Sequence, residues 1–150
     1  MKIGNYTSSK DYGPAPYVTN VAMSGIKNTN FRTTIWTGEY MQMTLMAIPP
    51  CGEVGLELHP DTDQFIRIEQ GKALVKMGEC KDALNYLQNA GCGDAIFIPA
   101  GTWHNIINTE RTPLKLSVIY APPHHPKGTI HRTKAEADKI TYWFTLSIYQ

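Results

Sequence analysis

Gly93-Asp94-Ala95-Ile96-Phe97-Ile98-Pro99-Ala100-Gly101-Thr102-Trp103-His104-Asn105-Ile106-Ile107-Asn108 is the stretch that decides the fold. Ala95 to Ile98 reads as a short apolar strand and Trp103 to Asn108 as another. Between them Pro99-Ala100-Gly101 reverses the chain, glycine taking backbone angles that other residues avoid. Alternation along the second strand turns His104 to one face and Trp103 to the other. Upstream lies Leu56-Glu57-Leu58-His59, a short strand with a carboxylate two residues before a histidine. Residues i and i+2 of a strand share a face, so Glu57 and His59 reach one point in space. Gln64 follows, and on its strand Gln64, Ile66 and Ile68 point the same way. Three strands can thus deliver Glu57, His59, Gln64 and His104 into one interior.

Outward from this stretch the period stays at two. Phe31 to Trp36 is β-branched and aromatic, and Tyr40 to Ile48 alternates until Pro49-Pro50 ends it. Gln64 to Glu69, Lys72 to Met77 and Leu114 to Tyr120 are further strands, each closed by glycine or proline. Asp82 to Gln88 reads as a polar hairpin. So many short strands at regular spacing predict a sandwich or a barrel. The chain divides into an N-terminal arm (1–30), a β-barrel (31–121) and a C-terminal loop and helix (122–150). Val18 to Met23 is read as a short edge strand in the arm. Thr133-Lys134-Ala135-Glu136 matches a capping box and predicts a helix start, with Ile140, Trp143, Phe144 and Ile148 continuing at helical spacing.

At 150 residues the chain can bury a core without staples. Its 14 basic and 13 acidic side chains leave a formal net charge of +1, which argues against nucleic acid or an anionic membrane as partner. Cys51, Cys80 and Cys92 are odd in number and lack metal-site spacing. With no apolar leader and no apolar tract near the roughly 18 residues a membrane span needs, the expected location is the cytoplasm.

Two motifs then carry a resemblance. Gly52-x5-Leu58-His59-x4-Gln64-x6-Gly71 is similar to the first cupin motif, G-x5-H-x-H-x3-4-E-x6-G, with Glu57 in place of the first histidine and Gln64 in place of the glutamate. Gly93-x5-Pro99-x-Gly101-x2-His104-x3-Asn108 matches the second, G-x5-P-x-G-x2-H-x3-N, at every defined position. The resemblance covers about residues 31–121. It implies an all-β, cupin-type jelly-roll barrel, followed here by a short C-terminal helix. It also implies a homodimer and one divalent metal ion in the barrel mouth, held by Glu57, His59, Gln64 and His104.

The two departures nearly offset in charge, since one carboxylate remains but at position 57. Two nitrogens and two oxygens suit Zn, Mn, Fe or Ni. Glu57 is either a ligand or a free general base. Gln64 either ligates or hydrogen-bonds a water on the metal. Tyr40, Gln42 and Thr44 share a strand face and are candidate pocket lining. His124, His125 and His131 read as an exposed loop, with His125 a candidate to lie over the mouth. Met41, Met43 and Met46 read as core filling.

Small single-domain cupins of this kind resemble proteins grouped with mannose-6-phosphate isomerases. That resemblance implies a metal-dependent isomerase acting on a sugar or sugar phosphate, with Glu57 as the candidate catalytic group. A phosphorylated substrate needs inward cations. Arg67 alternates away from Gln64, and Lys72 and Lys76 lie near strand ends, which leaves Arg32 as the exception. The alternatives are an Fe(II) dioxygenase, which uses two histidines and a carboxylate, and a non-catalytic module that binds or senses a small molecule.

Overall fold

The computed structural model describes residues 10–139. Among the described residues a first helix and nine strands run in the order α1 (Val21–Lys27), β1 (Arg32–Thr37), β2 (Gln42–Ile48), β3 (Asp63–Gln70), β4 (Lys72–Gly78), β5 (Tyr86–Gly91), β6 (Ala95–Ile98), β7 (Trp103–Asn108), β8 (Leu114–Ala121) and β9 (Ile130–His131). The strands form a six-stranded sheet, β6-β3-β8-β2-β1-β9, and a three-stranded sheet, β5-β4-β7. All named pairings are antiparallel. This is the jelly-roll architecture that the strand spacing and the two motifs implied.

The inner faces change character along their length. On β8, Leu114, Leu116 and Val118 are fully buried and give way to Tyr120. On β2, Met46 and Ile48 are preceded by buried Thr44 and Gln42, and on β3 Ile68 and Ile66 are preceded by buried Gln64. Register brings the polar ends together, since Tyr120 pairs with both Gln42 and Gln64. One end of the barrel is therefore an apolar core, where each large side chain stabilises by roughly 1.5–3 kcal/mol. The other end is a polar interior.

The arm departs from its expected form. Val18 to Met23 is not an edge strand, because Asn20 caps α1 by accepting the Met23 N–H at 3.0 Å. The outer face of β2, β3 and β8 needs covering, and α1 supplies the cover at Gly25, where an added Cβ would stand 3.0 Å from Glu69 Cγ. Beneath it the buried Glu69 carboxylate accepts from Ser117 and from Arg67, each at 2.5 Å. Arg67 thus points outward, as alternation required.

The Leu56 to His59 segment is not a continuous strand either. Its ladder contacts are single bridges, Glu53 to Ile107 and Glu57 to His104, and Gly55 at φ +107° interrupts the extended run. A helical turn does begin after Thr133, whose hydroxyl accepts the Glu136 N–H at 3.2 Å. Ile140, Trp143, Phe144 and Ile148 lie outside the described residues. Cys51, Cys80 and Cys92 are free thiols, and no described helix is long and apolar enough to cross a membrane.

Candidate metal centre

The Pro99–Gly101 turn does more than reverse the chain. Gly101 adopts φ +77° and its N–H donates to the His59 carbonyl at 2.8 Å, while the Ala100 N–H donates to Asp63. The turn is thereby fastened to the segment that carries Glu57 and His59. Glu57 and His104 sit directly opposite each other and exchange both backbone hydrogen bonds, at 2.9 and 3.0 Å. Their side chains therefore emerge on one face. Asn105 steadies the same segment: its amide donates to Glu53 at 2.8 Å and its carbonyl accepts the Gly55 N–H at 3.0 Å.

Three side chains then converge. Glu57 Oε2 lies 3.3 Å from His59 Nε2 and 3.6 Å from His104 Nε2, and one donor atom from each residue falls within 4.8 Å of the others. His104 Nδ1 donates to the Thr102 carbonyl at 2.9 Å, which leaves Nε2 as a lone pair aimed at the meeting point. His104 Nε2, His59 Nδ1 and Gln64 Oε1 are buried without a hydrogen-bond partner among the described residues. Ligand atoms about 2.1 Å from a single ion stand roughly 3.0–3.4 Å apart. The donor set, its spacing and the orphaned His104 Nε2 fit a divalent cation, with His59 facing the same point through Nε2. Gln64 is buried on the interior face as alternation required, pairing in register with Tyr120.

Arg32 is the cation at this site. It is 4% exposed, its Nη1 lies 3.2 Å from His131 Nδ1, and its Nη2 lies 3.7 Å from Glu57 Oε1. Burial pushes the Glu57 carboxyl up, but the close polar contacts with His104 and His59 and the Arg32 charge outweigh it. The group is held well below the usual carboxylate range.

Of the candidate lining, Thr44 and Gln42 are buried in the interior, whereas Tyr40 is 76% exposed, because it sits in the bend before β2 begins. Gln42 has a specific task. Its Nε2 donates to Thr37 Oγ1 and to the His125 carbonyl, at 3.0 and 2.7 Å, and its Oε1 accepts the N–H groups of His124 and His125.

His124 and His125 lie in the loop that the prolines suggested, His124 exposed and His125 half-buried, whereas His131 does not, being buried on β9. His124 packs its ring 4.2 Å from that of His59, His125 packs against Tyr120, and His131 is buried on β9 beside Arg32. The prolines shape a turn that Gln42 pins inward. A cavity of about 710 Å³ is bordered by Arg32, Glu57, His124, His125 and His131, closed on its apolar side by Phe31 and Ile130. Sequence reasoning missed His131 as a partner of Arg32. Its pairing with β1 depends on a strand only two residues long, which leaves no periodic signal.

Residues 44–120 match the cupin domain family. The chain belongs to the cupin family. The uncharacterised protein YrkC of Bacillus subtilis strain 168 is 56% identical to this cupin over 128 residues, 85% of this chain and 69% of that protein. The crystal structure of BH2720 from Bacillus halodurans superposes with a TM-score of 0.86 at 49% identity, covering 87% of this chain and 98% of that one. An oxalate decarboxylase of Lactobacillus farciminis, solved as a formate complex, superposes with a TM-score of 0.53 at 25% identity, over 59% of this chain and 26% of its own.

Burial holds the His125 imidazole down at about 2, with the Arg32 charge adding to the effect, and holds His124 down at about 4, where the His59 charge adds. Both rings stay neutral in the folded cupin at pH values where the unfolded chain takes up protons. Stability from them is full above about pH 6.5 and is lost as pH falls. For His125, half-buried, the loss between pH 7 and 5 is about 1 kcal/mol after allowance for solvent screening. Urea melts of metal-free protein at the two pH values should show His125→Gln losing about that much less stability than wild type.

Proposed function

We propose that this cupin is a metal-dependent enzyme acting on a small oxygenated molecule held in the cavity bordered by Glu57. The observation that carries the reading is the meeting of Glu57, His59 and His104, with His104 Nε2 unpartnered, beside a polar interior. Glu57, His59 and His104 would hold one divalent ion, with Gln64 Oε1 as a further oxygen donor. The ion supplies Lewis acidity towards a carbonyl or hydroxyl oxygen.

Glu57 takes the part of ligand, not base. One of its oxygens faces both imidazoles at the meeting point and the other faces Arg32, an arrangement that keeps it an anion among the other donors. His125, whose Nε2 is buried without a partner at the cavity, is a neutral imidazole that would accept a hydrogen bond from a substrate hydroxyl. A hydroxyl oriented beside the ion suits an isomerase-type shift of a proton between neighbouring carbons of a sugar or hydroxy-carbonyl compound.

Oxygen chemistry is the second reading, favoured by the two-histidine, one-carboxylate set. A homodimer belongs to the proposal too, supported by exposed Tyr86, Leu87 and Phe97 on β5 and β6, each an outermost strand of its sheet.

Elemental analysis of protein purified without chelator tests the metal, with about one ion per chain expected. Metal-loaded protein is then offered sugars, sugar phosphates and hydroxy acids in deuterated water, with oxygen consumption followed alongside. Deuterium entering a substrate carbon without oxygen uptake supports isomerisation, and oxygen uptake replaces it with the second reading. Full metal, tight ligand binding and no turnover would leave a binding module.

A further inference from the structure

We infer that Arg32 is the anion-recognising residue of the cavity and that the group it receives is a carboxylate, which makes the ligand a small hydroxy or keto acid. The inference rests on the functional reading above and narrows its substrate class.

Arg32 occupies the inner face of β1, paired in register with Met46 on one side and His131 on the other. A guanidinium has five N–H donors in a planar fork. Here one terminal nitrogen donates to His131 Nδ1, and the other stands 3.7 Å from Glu57, beyond hydrogen-bond reach. Nε is buried with no partner among the described residues. Most of the fork is therefore unspent on a side chain that is 4% exposed, and leaving such donors unpaired away from water is costly. A bidentate oxyanion is the partner the fork is shaped for.

Position agrees with this. Arg32 borders the same cavity as Glu57, whose carboxylate approaches it from the metal side. Glu57 is the member of the Glu57–His59–His104 group that borders the cavity, so an acid seated on the fork would lie beside that group. His131 is a positioning residue: by accepting from Nη1 it holds the fork open towards the cavity.

A phosphoryl group is the poorer match. With three acceptor oxygens and up to two charges, it is commonly met by several cations or by a cluster of backbone N–H groups. Among the described residues the cavity wall has one arginine and no lysine, and Pro126 within it lacks an N–H. The cavity volume of about 710 Å³ lies in the range of small-molecule sites.

The test is isothermal titration of metal-loaded protein with lactate, with lactamide, which replaces the carboxylate by a neutral amide of the same size, and with glycerol 3-phosphate. Lactate should bind at least tenfold more tightly than lactamide and no more weakly than glycerol 3-phosphate. Arg32→Gln should weaken lactate at least tenfold without changing the affinity for lactamide, and Arg32→Lys should fall between. Equal affinity for lactate and lactamide, no measurable lactate binding, tighter binding of the phosphate ester, or unchanged lactate affinity in Arg32→Gln would each overturn the proposal. The wild-type comparison stands alone should a variant fail to fold. Metal content separates the two readings: full metal with no preference for lactate sinks only this inference. Little metal, with metal-free protein still preferring lactate, sinks only the functional reading.

Discussion

His104→Ala should strip the cupin of its metal while leaving the barrel intact. Wild-type protein is expected to retain about one ion per chain, and the variant less than about a tenth of that, a fall in affinity of at least 100-fold, or about 2.7 kcal/mol. His104 is the donor whose geometry is most fully prepared, with Nδ1 fixed on Thr102 and Nε2 aimed inward. Its removal leaves a carboxylate, one imidazole and the neutral Gln64 oxygen, too weak a set to hold a divalent ion tightly against water. The fold survives because β7 is anchored by its backbone, paired with β4 from Trp103 to Asn108 and bridged to Glu57. Elemental analysis and far-ultraviolet circular dichroism read the two effects separately. Glu57→Ala should lose metal likewise. Full metal occupancy in a folded His104→Ala protein would refute the assignment.

The second large effect is on stability alone. Asn108→Ala should destabilise the protein by about 2–4 kcal/mol, lowering the melting temperature by roughly 10 °C. Asn108 is 2% exposed, and its amide donates to the carbonyls of Ile48, Pro49 and Thr112 while its own carbonyl accepts the Glu110 N–H. It ties the end of β2 to the loop entering β8. Deleting it strands several buried backbone groups, and aspartate would not rescue it, because the site requires a donor. Calorimetry checks the magnitude, and metal content should remain as in wild type. The asparagine that closes the second motif is thus a fold residue, whereas the histidine four positions earlier lies in the candidate metal centre.

The strand half of the fold was legible because alternation is a local signal. Gln64, Ile66 and Ile68 could be assigned to the interior from spacing alone, and the Pro99-Ala100-Gly101 turn announced itself. Glu57, His59 and His104 were legible as a group because both motifs place them. The rest depends on contacts between residues far apart in sequence. Arg32 meets His131 across 99 residues, and Gln42 holds the His125 backbone across 83. Neither pairing leaves a trace in composition or period. Val18 to Met23 misled because its apolar residues are not set by burial: Val18 and Met23 are exposed, and the Asn20 cap turns the chain into α1. Tyr40 misled because alternation was carried two residues beyond the strand.

The Gln42 amide has a consequence beyond holding a turn. Thr37, which accepts from Gln42, donates to Asp11 at 2.6 Å, and Asp11 in turn accepts from Gly128 at 3.0 Å, on the far side of the histidine turn. Lys127 reaches the Gly13 carbonyl beside it. The N-terminal arm is thus the keel of the site: it bears no reactive group, yet the rings over the cavity keep their station only while it stays seated.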